Sequence, residues 1–89
     1  MACYIVAFEI QNGSKINLEI AIRSYPNWAH VADCVWAVSS PASTVNATTI
    51  RDNLSRHINA GDRLFVIKSG VEAAWRNSLC DNQWLKDNL

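Results

Sequence analysis

An α+β fold is predicted by three observations on the chain. Cys3 to Ile10 is a β-rich run, a second such run ends Cys34-Val35-Trp36-Ala37-Val38, and a third lies within Asp62-Arg63-Leu64-Phe65-Val66-Ile67-Lys68. Between the second and the third, Ile50-Arg51-Asp52-Asn53-Leu54 has helical spacing. With a further helix before Trp28 the order becomes βαββαβ, the split βαβ arrangement of the ferredoxin-like fold, an antiparallel sheet with helices on one face. Residues 1–77 are expected to hold this domain. Residues 78–89 are expected to form a helical C-terminal extension that docks on a sheet edge or on a partner.

The first strand is apolar on both sides: Tyr4, Val6, Phe8 and Ile10 alternate with Cys3, Ile5 and Ala7, and Glu9 closes the second row. Such a strand must be covered on both faces. Two helices in a domain of this size cover one face only, so a second copy of the chain is expected on the other. Ser14 to Tyr25 admits two readings. Ile16, Leu18, Ile20 and Ile22 alternate strictly with polar or small residues after a turn-forming Asn12-Gly13, which describes a β-hairpin. Leu18, Ala21, Ile22 and Tyr25 fall at i, i+3, i+4 and i+7 behind a capping Ser14, which describes a helix stopped by Pro26. The pattern leaves both open.

Trp28 to Ser39 supplies two short strands or one bent strand, with a tight turn or bulge near Asp33. A loop around Pro41 follows. Asn46 is the expected N-cap of a helix whose core face is Ala47, Ile50, Leu54 and either His57 or Ile58. Gly61 ends that helix and a turn leads into the strand Leu64 to Ile67. After Gly70 a short helical turn is expected to carry Trp75, and the polar tail from Ser78 adds Trp84 and Leu85.

A chain of 89 residues makes one domain, burying roughly two-thirds of its surface. At 49% hydrophobic and 18% charged, with four tryptophans, its composition excludes disorder except at the ends. Eight basic and eight acidic side chains cancel, and the three lysines and five arginines are scattered, which argues against a general nucleic-acid binder. A near-neutral surface is also poorly protected from association, in keeping with a chain that has a partner. Cys3, Cys34 and Cys80 lack the spacing of a zinc site and read as small apolar residues. No secretion signal opens the chain and no apolar run approaches the ~20 residues needed to span a bilayer. A cytoplasmic protein without membrane contact is expected.

The residues placed so far resemble a family of small proteins labelled SinR-like, similar to a branch of the ferredoxin-like family that includes the small CRISPR adaptation subunit. The resemblance covers Tyr4 to Trp75. It is carried by Phe8-Glu9, Ala21-Ile22-Arg23-Ser24 ahead of Trp28 and His30, Trp36 with Val38, and Ile50-Arg51-Asp52 with Leu54. Asp62 with Val66-Ile67-Lys68, and Glu72-Ala73-Ala74-Trp75, complete it. The resemblance implies that Ser14 to Tyr25 is helical and that the chain is a homodimer built through sheet faces and edge strands. In nuclease-type members an aspartate ends the first strand and, paired across the dimer, holds a divalent cation for phosphodiester cleavage. Glu9 stands there in this chain. The longer side chain displaces a metal by about one methylene, and Mg²⁺ tolerates poor octahedral geometry badly.

Candidate catalytic residues are therefore Glu9 and His30, with Glu9 the metal ligand only under the nuclease reading. His57, near a helix C-terminus, reads as structural. Trp36 reads as core, while Trp75 and Trp84 are candidates to cap an open edge or contact a partner. In the helical reading Ile16 and Ile20 point away from the core and form a second partner-binding patch. The expected function is a homodimeric protein-interaction module, of antitoxin or immunity type, that masks a second protein without catalysis or cofactor. The alternative is a Mg²⁺- or Mn²⁺-dependent endoribonuclease or nucleic-acid-binding dimer.

Overall fold

The computed structural model describes residues 2–11, 13–41 and 44–89. Strands β1 (Ala2–Glu9), β2 (Asn27–Ala32), β3 (Val35–Ser40) and β4 (Arg63–Lys68) form one antiparallel sheet in the order β2-β3-β1-β4. Helix α1 (Lys15–Ile22) joins β1 to β2, α2 (Ala47–Ser55) joins β3 to β4, and α3 (Asn82–Asn88) follows near the C-terminus. The succession βαββαβ, with β1 and β3 central, is the ferredoxin-like arrangement.

Ser14 to Tyr25 contains a helix because the sheet has no place for a hairpin there. Both edges of β1 are already taken, by β3 and β4. Ser14 caps the helix, its Oγ accepting the Asn17 N–H at 3.2 Å. Leu18 and Ile22 are fully buried, with Ala21 and Tyr25 packed beside them, while Ile16 and Ile20 are 69% and 54% exposed. Asn12 of the Asn12-Gly13 turn signal lies outside the described residues.

Asn46 caps α2, its Oδ1 accepting the Thr49 N–H at 2.8 Å. Ile50 and Leu54 are buried and Ile58 packs against the same core, whereas His57 is exposed. The choice between the two thus falls to Ile58. Gly61 adopts a positive φ of 93° in the turn into β4. Between the two helices and the sheet lie Tyr4, Val6, Phe8, Trp36 and Val38, closed by Leu18, Ile22, Ile50 and Leu54.

Two expectations are corrected by the chain after β4. The helical turn around Trp75 is absent: residues 69–81 have no regular structure, with Asn77 at φ 56°. This segment must reach from β4 to β2 on the far side of the sheet, where the Leu79 N–H donates to the Val31 carbonyl at 2.9 Å. An extended path spans about twice the distance per residue that a helix does. The second correction concerns the sheet face opposite α1 and α2, which the chain itself partly covers. There Trp84 Nε1 donates to Asn27 Oδ1 at 2.9 Å, Asn27 Nδ2 donates to Asn88 Oδ1 at 2.9 Å, and Leu85 is buried.

Candidate functional site

The second face of the sheet divides into two unlike halves. Over part of β1, β2 and β3 it carries the small side chains Cys3, Ala29, Ala37 and Ser39, all buried. Small side chains let a helix approach the sheet closely, and this is the side on which α3 is tied to Asn27. Toward β4 the side chains become large. Ile5 is half-buried, Phe65 is 61% exposed and Ile67 is 50% exposed. An open cleft of about 720 Å³ runs beside them, lined by Ile5, Val31, Val35, Ile67, Trp75 and Leu85 among others. Its lining is predominantly apolar.

The outer edge of β4 adjoins this half. Ser69 donates its N–H to the Cys3 carbonyl at 2.8 Å, so residues 69, 67, 65 and 63 direct their main-chain groups toward β1. By the same alternation Leu64, Val66 and Lys68 direct theirs outward. No described strand pairs with them.

Glu9 and His30 are not brought together. Phe8 points into the core, so Glu9 lies on the second face, where its carboxylate pairs with the Arg63 guanidinium opposite it in the ladder. His30 lies on the helix face of β2, stacked on Trp36 with centroids 4.1 Å apart and ring planes 12° apart. Its Nε2 is 3.1 Å from the Asp33 carbonyl. Trp28, with its ring centroid 5.6 Å from that of Trp36, flanks the indole, and the Arg23 guanidinium lies 5.8 Å from the Trp36 ring centroid. This is an aromatic packing cluster.

Asp62, beside Glu9, and Asp33 are engaged in structural contacts. Asp62 accepts the N–H groups of Gln11 and Asn59 at 2.7 and 2.9 Å. Asp33 pairs with Lys15 at 2.7 Å; that hydrogen bond holds the Asp33 carboxyl below its usual range and raises the Lys15 ammonium. Among the described residues no three His, Cys, Asp or Glu side chains gather as a metal-binding group. A divalent cation at Glu9 would face the Arg63 guanidinium, and the donor set present does not fit one.

Ile16 and Ile20 lie on the outer side of α1, away from the sheet. Trp75 is half-buried along the cleft and its Nε1 donates to Asn82 Oδ1 at 3.1 Å, while Trp84 spends its N–H on Asn27. Both indoles therefore hold the C-terminal extension in place. Phe65 and Ile67 were missed as candidates. Their only sequence signal is that Leu64 and Val66 alternate with them, which gives β4 two apolar faces where one suffices to fill the core. No helix among the described residues is long and apolar enough to cross a membrane. No family model, curated protein or solved structure matches this chain.

Proposed function

We propose that the chain is a small homodimeric protein-interaction module of the SinR-like kind, acting in the cytoplasm as an antitoxin or immunity-type protein that masks a second protein without catalysis. The observation that carries this reading is the display of large apolar side chains on two separate surfaces, Ile16 and Ile20 on α1 and Phe65 and Ile67 on the sheet. One surface serves self-association and the other the partner. The two residues nominated for chemistry have structural engagements instead: Glu9 is paired with Arg63, and His30 is stacked on Trp36.

The test compares capture by the tagged protein with capture by an Ile16→Asp/Ile20→Asp variant. A protein retained in stoichiometric amount by the first and lost from the second is the expected result. Mg²⁺- or Mn²⁺-dependent cleavage of single-stranded RNA that disappears in Glu9→Gln would overturn the reading in favour of the endoribonuclease.

A further inference from the structure

The two edges of the sheet are protected very differently. Along β2 the ladder shifts register between His30 and Ala32, and Leu79 donates to the Val31 carbonyl. Bulges and covering segments are ordinary ways of blunting an edge, as are proline and central charges. Among the described residues β4 has none of these. Its register with β1 is regular from Tyr4↔Lys68 to Glu9↔Arg63, its charges sit at the two ends with Arg63 tied to Glu9, and the residues between are Leu64-Phe65-Val66-Ile67.

Resting on the homodimer reading above, we propose that two copies join β4 to β4 across a two-fold axis at Val66. This makes one continuous sheet to which each copy contributes its four strands. Outward-directed N–H and C=O groups of Leu64, Val66 and Lys68 supply the main-chain bonds. A two-fold axis normal to the sheet keeps each face continuous, so residues opposite one another must both be even-numbered or both odd. With Val66 on the axis, Leu64 faces Lys68 in a hydrogen-bonded pair. Phe65 faces Ile67 in a non-hydrogen-bonded pair, where side chains come closest.

Neighbouring registers are worse. Phe65 on the axis sets Ile67 against the charged Arg63, and Ile67 on the axis brings the two Lys68 ammonium groups onto diagonal positions of one face. Only the Val66 register covers the exposed Phe65 and Ile67 with each other and keeps like charges apart. The formal net charge of zero leaves little long-range repulsion between copies.

The register predicts a complementation experiment. Phe65→Glu and Ile67→Lys each leave two charge-against-apolar pairs in a homodimer, and each should weaken self-association about tenfold or more in sedimentation equilibrium. An equimolar mixture should recover the wild-type level. The heterodimer places the introduced carboxylate opposite the introduced ammonium at one end of the seam and keeps the native Phe65–Ile67 pair at the other. Wild-type far-UV circular dichroism and cooperative thermal melts confirm that both variants fold. Phe65→Ser and Ile67→Ser, which add no charge, should also weaken association, and a dimer indifferent to both overturns the seam. A wild-type dimer with no recovery in the mixture overturns the proposed register while leaving the homodimer reading standing. A wild-type protein that is monomeric at 100 μM, a concentration of about 10⁻⁴ M on the affinity scale, overturns both.

Discussion

Leu85→Ala tests whether the C-terminal extension belongs to the fold. Leu85 is 1% exposed and is the one buried residue of α3, a helix of seven residues. So short a helix has no stability of its own and is held by its packing. Truncating a buried leucine costs about 2–5 kcal/mol. Losing the anchor also loosens the Trp84–Asn27 and Asn27–Asn88 bonds, each worth about 1 kcal/mol net. A loss of about 3–5 kcal/mol is expected, set against roughly 4–13 kcal/mol for a domain of this length. In urea, at a slope of about 1 kcal/mol per molar, the unfolding midpoint should fall by about 3 M or more. Leu79→Ala, at an exposed position, should cost less than about 1 kcal/mol. A cost below about 1 kcal/mol for Leu85→Ala as well would show that α3 is not docked on the sheet.

Two further predictions concern the core and its pH response. Ile22→Ala should cost about 2–5 kcal/mol, because Ile22 is fully buried, and Ile20→Ala much less; equal large losses would restore the strand reading of this segment. Burial raises the Cys3 thiol above its ordinary value of 9.0, so the folded chain retains a proton that the unfolded chain loses first. That contribution is intact below pH 9.0 and declines as the pH rises through the raised folded value. Stability should therefore fall less steeply with alkaline pH in Cys3→Ala than in the wild type, and parallel slopes in urea titrations would contradict this.

The element order was legible because β1 and β4 are short runs of β-branched and aromatic residues, while α2 shows one helical period. Ser14 to Tyr25 was not, since Leu18 and Ile22 belong to both a two-residue and a helical repeat. What decides between them is that β3 and β4 occupy both edges of β1, a fact of topology. The docking of α3 was hidden for a similar reason. The helix is tied to the side of the sheet that carries the small buried residues Cys3, Ala29, Ala37 and Ser39, drawn from three strands that only pairing brings together. Glu9 stood out as an isolated strand-end acid until the β1–β4 register set Arg63 opposite it. Ile16 and Ile20 were legible as outward-facing once the helix was accepted. Phe65 and Ile67 required knowing that β4 is an edge strand.

Amide hydrogen exchange along β4, followed by NMR at increasing protein concentration, tests the self-association surface most directly. Phe65 and Ile67 direct their N–H groups toward β1 and should be protected at every concentration. Leu64, Val66 and Lys68 direct theirs outward, so their amides should exchange freely in dilute protein and become protected as the dimer forms, with Val66 at the centre of the protected stretch. Exchange at Leu64 and Val66 that stays fast from micromolar to millimolar concentration would contradict the pairing of β4 with a second copy.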